Sequence, residues 1–449
     1  MAGYARSEVV REGEIGVYHA WSRCVQRAFL CGNDPLTGRN FDYRRDWIER
    51  LLEYQAGVFA VDVGNYAILQ NHEHLIARTR PDIAAGWSDE EVAWRWKLAW
   101  PEWRDGRWIR EPTDQEIQEL LANQERLKMG RNGLSSLSWF MARWKEPIAR
   151  LANQEMNTKG HFWEQRFGCR ELAGAGAVLT CFIYVDVNQV KAGEAPCLEQ
   201  SRHTAIGERL RTWQAEQAQA SVDKFHDMKG EGYNLTKEDV KQLLGKCWLS
   251  PITTKGPLLL PGVKRPDASA TRAISEQTEL EEDDDATDEC GATAAADDSP
   301  TEDGPEDSTA ARDAEPATPQ APGSRTRRKA RSPSRKIHRR LKGKQRRRAS
   351  DQAFLCMPFE QYVEMAQWAA AQTLAQQGRP ASQDLPPPPD LASRLQGSHL
   401  NSDRWYSAID HFQEWFHGWV GPESKLDKIL ANSSRRWRHG IRRCRDVFT

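Results

Sequence analysis

The chain has 449 residues, 39% hydrophobic and 28% charged, enough for at least one sizeable core and for two to four domains of roughly 100–200 residues each. Lys plus Arg (63) nearly cancels Asp plus Glu (64), so the net charge of −1 conceals any local asymmetry. Nine scattered cysteines without a CxxC pair or a secretory signal argue against a disulfide scaffold or a zinc ribbon, and no run of about 18 apolar residues exists to cross a membrane. The expectation is a cytoplasmic protein with no membrane partner.

In chain order, Ile15 to Val25 predicts a strand with Tyr18, Trp21 and Val25 apolar, and Asp42 to Tyr54 a helix through Trp47, Leu51 and Leu52. Val58 to Leu69 and His72 to Thr79 follow as strands linked by little more than Gln70-Asn71, a link short enough to favour an antiparallel pair. Gly86 to Arg131, rich in Trp, Glu and Arg, reads as an insertion whose tryptophans form a small satellite core or stack on bases. Leu134 to Asn153 predicts a helix, Arg166 to Leu172 a short strand, and Ala175 to Ala192 another helix. The order β-α-β-β-α-β-α fits an α+β fold, a ferredoxin-like antiparallel sheet with helices on one face.

Residues 221–264 extend this unit without a clear pattern. The composition then breaks. Glu276 to Glu315 carries 17 acidic residues against one base, Arg312, and Arg325 to Arg348 carries 14 Lys or Arg and no acid. Such blocks bury too little apolar surface to offset chain entropy, so 265–350 reads as a disordered acidic-then-basic linker. Residues 351–449 read as a small helical module: Phe354 to Leu374, a Pro386 to Pro389 spacer, then Asp403 to Val420. Trp405, Phe412, Trp415, Phe416 and Trp419 recur there at three- and four-residue intervals, the spacing of a packing face. Arg435 to Arg445 closes the chain with six Arg.

His72-Glu73-His74 is the first constellation with chemical content. On a strand the side chains alternate, so both imidazoles face one side, where they can chelate a divalent metal, and Glu73 faces the other. Tyr184 and Asn188, four apart on a helix, share a face and offer a phenol and a carboxamide oxygen.

The chain resembles the single-tyrosine HUH transposases, in particular the REP-associated tyrosine transposases and their bacterial relatives. Four ordered blocks over roughly residues 10–200 carry the resemblance. They are Val17-Tyr18-His19 with Ser22-Arg23, then Asn71-His72-Glu73-His74-Leu75, then Gly160-His161-Phe162-Trp163 with Arg166-Phe167, and finally Tyr184-Val185-Asp186-Val187-Asn188-Gln189-Val190-Lys191-Ala192-Gly193.

The resemblance implies a ferredoxin-like catalytic domain over 1–220, with 82–133 inserted, that cuts and rejoins single-stranded or hairpin DNA in transposition. It implies Mg²⁺ or Mn²⁺ held by His72, His74 and Asn188, with Tyr184 as the nucleophile that forms a 5′-phosphotyrosine. A bacterial, nucleoid-associated location in the cytoplasm comes with it, and a homodimer is left open. The usual apolar residue between the histidines is here Glu73, and the family's Asn-Pro-Val is Asn188-Gln189-Val190, where Gln189 should simply continue the helix. Arg23, Arg143, Lys145, Arg150, Arg166 and Arg170 are the candidate DNA contacts. Two other readings stand beside the enzyme: a DNA-binding protein of the same fold without activity, and a replication initiator or relaxase of the wider HUH superfamily.

Overall fold

A computed structural model describes residues 5–25, 31–34, 38–100, 102–104, 107–109, 111–214, 216, 247–254, 348–379, 387–388, 390–431 and 440–448. The expected linker lies outside the described residues as far as 347, as does most of 221–264, but its expected last residues, Arg348 to Ser350, are described and packed, Ser350 being buried against Asp62.

The elements up to residue 200 are α1 (Arg6–Val9), β1 (Val17–Arg23), α2 (Arg44–Val58), β2 (Val61–Ile68), β3 (His72–Thr79), α3 (Pro81–Ala85), α4 (Asp89–Ala99), β4 (Glu102–Arg104), β5 (Arg107–Ile109), α5 (Asp114–Leu121), α6 (Gln124–Gly133), α7 (Leu137–Met156), β6 (Gly168–Leu172), α8 (Ala175–Asp186) and α9 (Asn188–Lys191). Beyond the linker come α10 (Phe359–Gln376), α11 (Leu391–Gly397), α12 (Ser402–Asp410), α13 (Phe412–Trp415), β7 (Trp419–Val420), α14 (Glu423–Leu430) and α15 (Ile441–Val447). The protein is α+β. Its five-stranded sheet has the order β2-β3-β1-β6-β7, antiparallel except for the β6–β7 edge.

Alternation along the strands divides the core into two layers. Tyr18, Ala20, Leu75 and Ala77 face α2 and α7, whereas Val17 and Ile76 face α8 and the C-terminal helices. In β2 the phase changes at a bulge between Val63 and Asn65, so Val61, Val63, Tyr66 and Ile68 all reach the α2–α7 layer while Asn65 and Ala67 turn to the other. Helices therefore cover both faces of the sheet. The expectation of helices on one face holds for the crossovers α2 and α7 but fails for α8, whose sequence is apolar all round and buried on every side. Such a helix needs cover beyond a single sheet.

That cover is the C-terminal segment. Trp405, Ala408, Phe412, Phe416 and Val420, each buried, share one hydrophobic cluster with Val178, Phe182 and Val185 of α8. At Gly176 an added Cβ would come within 2.6 Å of the Ser398 carbonyl oxygen, so a glycine lets α8 approach this closely. The predicted packing face of aromatics is real for Trp405, Phe412, Phe416 and Trp419, and its main partner is α8. The helix expected over Asp403–Val420 breaks into α12, α13 and β7, the last adding a strand beside β6.

Buried polar groups lock the same interface. Asp62 accepts from Arg78 Nη2 at 2.7 Å, Arg80 Nη1 at 3.1 Å and Ser350 Oγ at 2.7 Å. Asp186 accepts from Asn65 Nδ2 at 2.9 Å and from the Tyr362 hydroxyl. Thus one oxygen of each buried carboxylate, Asp62 Oδ1 through Ser350 and Asp186 Oδ2 through Tyr362, ties β2 or α8 to residues past 348, while the other is held by neighbouring strands.

The 82–133 insertion forms α4, α5, α6 and a small β4–β5 hairpin. Trp96 and Trp100 stack at 3.8 Å and meet Trp139 of α7, the satellite core of the two expected roles. All eight described cysteines are free thiols, and no described helix is long and apolar enough to cross a membrane.

Candidate active site

β3 and β1 pair so that His74 lies opposite Trp21 and His72 opposite Arg23. Both histidines project toward α8, where Tyr184 sits three turns into the helix. The His72 and His74 rings are 5.0 Å apart and the His74 and Tyr184 rings 5.5 Å apart. All three line one cavity of about 370 Å³, with Trp21, Arg23, Arg166 and Gln413 around them. A Cβ on Gly168 would collide with the Trp21 indole, so this glycine permits Trp21 to lie over β6 at the edge of the cavity.

The imidazoles are oriented from behind. His72 Nδ1 bonds to Asn71 Oδ1 at 2.6 Å; with the amide oxygen accepting, Nδ1 carries the hydrogen and Nε2 keeps its lone pair. His74 Nδ1 lies 3.0 Å from His19 Nε2, and His74 Nε2 is buried without any hydrogen-bond partner. In the tautomer where His74 Nδ1 donates to His19, Nε2 is likewise a free acceptor. Burial pushes His72 down to about 4, with Arg23 adding to the effect. His74 and His19 fall well below the usual range, by burial first, then for His74 through His72, His19 and Arg170, and for His19 through Arg170. At neutral pH these are uncharged nitrogen donors. The orphaned Nε2 and the two supported rings fit a divalent ion, as metal-bound histidines are commonly held by an outer hydrogen bond.

Tyr184 is buried to 7% exposure. Burial raises its phenol, while the Gln413 side chain, the Arg170 charge and Asn188 act in the opposite direction. Phe412 lies on its ring at 4.9 Å. Asn188 is also buried, and its Nδ2 has no partner. It stands beside Tyr184 as the i, i+4 spacing requires, yet it does not line the cavity. The structure therefore brings His72, His74 and Tyr184 to one space and leaves Asn188 at its margin.

The candidate DNA contacts separate into three kinds. Arg23 and Arg166 line the cavity and form no ion pair among the described residues. Arg143 and Arg150 both engage Glu146, at 3.0 Å and 2.5 Å. Lys145 and Arg170 are interior. Lys145 bonds to Ser22, lies 3.9 Å from Glu73 Oε1 and 4.3 Å over the Trp163 ring. Arg170, 3% exposed, donates to Gln413 and lies over Trp21 at 4.4 Å and Phe412 at 5.4 Å. Burial lowers it to about 10, with Tyr184, Cys181 and Cys169 acting in the opposite direction.

Glu73 points away from the histidine face, as its register predicts, and is buried beside Lys145. Burial lifts it to about 7 against the pull of the lysine. Gln189 does more than extend a helix. Its Nε2 donates to the Ile68 and Arg202 carbonyls at 3.0 and 2.8 Å, which ties α9 to the end of β2 and to the segment at Arg202.

Sequence reasoning assigned no role to His19, Trp21, Phe412 or Gln413. The first two were accessible from alternation, since residues 19 and 21 of β1 must share the face of His74 once β1 and β3 are paired. Phe412 carried only the spacing of a packing face, and Gln413 no local signal. Elsewhere, Asp46, Glu49 and His203 form the one described cluster of three metal-capable side chains drawn from His, Cys, Asp and Glu. Its His203–Glu49 contact of 2.7 Å already satisfies both partners. No protein-family model, curated protein or solved structure matches the chain.

Proposed function

We propose that the protein is a metal-dependent DNA strand transferase, a transposase-type enzyme that cuts and rejoins single-stranded or hairpin DNA through Tyr184. One observation carries the reading: two neutral imidazoles on β3 that face α8 and a tyrosine on α8 converge on a single cavity. The strand order β2-β3-β1-β6 with both crossover helices on one face supports the ferredoxin-like assignment made from sequence.

His72 and His74 would hold Mg²⁺ or Mn²⁺ through their Nε2 atoms, with Asn188 the candidate for a third position. When bound, the ion polarises a phosphate oxygen and orients the scissile bond. Arg23 and Arg166, at the cavity and without carboxylate partners among the described residues, hold the phosphodiester by charge. The Tyr184 oxygen attacks phosphorus as its proton leaves. The P–O bond to the 3′ oxygen breaks with its electron pair, and that oxygen takes up a proton to leave a free 3′-hydroxyl. The phosphotyrosine keeps the bond energy for rejoining, so no nucleotide is consumed.

The test is denaturing electrophoresis of labelled single-stranded hairpins incubated with protein and Mn²⁺. A covalent adduct that vanishes with chelator and in Tyr184→Phe is the expected result. In His72→Ala the adduct should weaken and recover in part at higher metal concentration. Packing of Phe412 over the Tyr184 ring favours a second reading, a DNA-binding protein of this fold without activity. Tight binding with no adduct at any metal concentration would establish that second reading.

A further inference from the structure

A second cavity, about 660 Å³, lies between the outer face of α7 and the segment 160–167. It shares Glu164, Gln165 and Arg166 with the His72–Tyr184 cavity, so the two are continuous along this segment. Its walls are aromatic. Trp139 is 40% exposed, although Trp96 at 5.8 Å and Trp100 at 5.1 Å support its ring edge-on from behind. Trp163 and Phe162 form the opposite wall.

The charged side chains along it are the cations Arg6, Lys145 and Arg166 and the anions Glu146 and Glu164. Arg6 lies 4.7 Å over the Phe167 ring, and neither Arg6 nor Arg166 has a carboxylate partner among the described residues. Each opposes the charge of the other. Glu146, on the same wall, is already neutralised by Arg143 and Arg150. A rigid, half-exposed indole beside two uncompensated guanidinium groups suits a ligand with flat apolar faces strung on a polyanion.

We infer that this groove is the track for the single strand that flanks the scissile phosphate, with Trp139 stacking one unpaired base and Arg6 and Arg166 taking the adjoining phosphates. The inference rests on the reading of the neighbouring cavity as a phosphodiester site. A duplex cannot use the groove in this way, because its bases present no free face. An apolar peptide would leave both arginines unpaired, and a second copy of this chain would have to supply carboxylates to them.

The experiment is fluorescence anisotropy of the full chain, without metal, on labelled oligothymidylates and on a duplex of equal length at several salt concentrations. Trp139→Ala should weaken single-strand binding about tenfold, the loss of one base stack, and leave duplex binding within about twofold. Arg6→Ala with Arg166→Ala should reduce the slope of log affinity against log salt by about 1.4, at about 0.7 per phosphate on a single strand.

Unchanged single-strand affinity in these variants overturns the inference. So does an equal loss for single strand and duplex, or a shift in sedimentation of the free variants that assigns the groove to self-association. The adduct assay separates the two readings. Adduct with unaltered affinity refutes the groove alone, whereas the affinity losses without any wild-type adduct refute the reaction and keep the groove.

Discussion

Phe412 lies flat on the ring of Tyr184, centroids 4.9 Å apart with 19° between the planes, although the charged linker separates them in the chain. The C-terminal segment is thus part of the wall of the candidate active site. Its hold there is broad. Lys191 Nζ binds Asp410 at 2.7 Å, Arg170 binds Gln413, and β7 continues the sheet beside β6.

Replacing Phe412 by alanine should cost about 3–5 kcal/mol, the usual loss for a fully buried phenylalanine. Urea unfolding followed by tryptophan fluorescence measures this. A change under about 1 kcal/mol would mean that Phe412 does not pack against Tyr184 and Phe416 as described.

Asp62 is the second anchor between the sheet and the residues past 348. Asp62→Ala leaves the Arg78 and Arg80 guanidinium groups buried without their shared carboxylate, so it should destabilise by about 3–5 kcal/mol. Limited proteolysis should then cut near 348–355 sooner than in wild type, since Ser350, Gln352 and Ala353 are held by this network. Equal cutting rates would show that other contacts retain the segment.

Lys145 and Glu73 form a pair that is costly to break from one side. Lys145→Met leaves Glu73 buried without its cation and should destabilise by about 3 kcal/mol, while Lys145→Met with Glu73→Gln should recover most of that. The check is a double-mutant cycle in denaturant. Additive losses would place the two groups out of contact.

Much of the fold was legible in the sequence because the chain obeys local rules of strand alternation and helical spacing. The histidine strand, the short link to β2 and the helix of Tyr184 follow from alternation and helical spacing, although the single helix expected over Ala175–Ala192 divides at Val187 into α8 with Tyr184 and α9 with Asn188. What was not legible depends on the far end of the chain. An all-apolar α8 reads the same whether its outer side is covered or not, and nothing local in Phe412 or Gln413 points to Tyr184. The interior sites of Lys145 and Arg170 were missed for a related reason. A cation on a predicted helix or strand reads as solvated unless its partner, here Glu73 or Gln413, is already known to lie opposite.

Glu171 supplies a pH dependence away from the histidines. Fully buried, it is pushed up to about 7 by desolvation, against the ion pair with Arg11. An acid raised above its unfolded value of 4.5 binds its proton more tightly when folded, so its contribution is complete below 4.5 and is lost as the pH rises through 7. Wild type should therefore lose up to about 3 kcal/mol relative to Glu171→Gln between pH 4.5 and about 8. Parallel stability curves for the two proteins would contradict the assignment.

The central claim, that Tyr184 is the nucleophile, is met most directly by mapping the covalent bond. Wild-type protein would be incubated with Mn²⁺ and a randomised library of single-stranded hairpins, and the adduct digested and sequenced by tandem mass spectrometry. The account predicts a nucleotide 5′-phosphate on the peptide that contains Tyr184 and on no other. A nucleotide on a different residue, or bound DNA that forms no adduct at all, would contradict it.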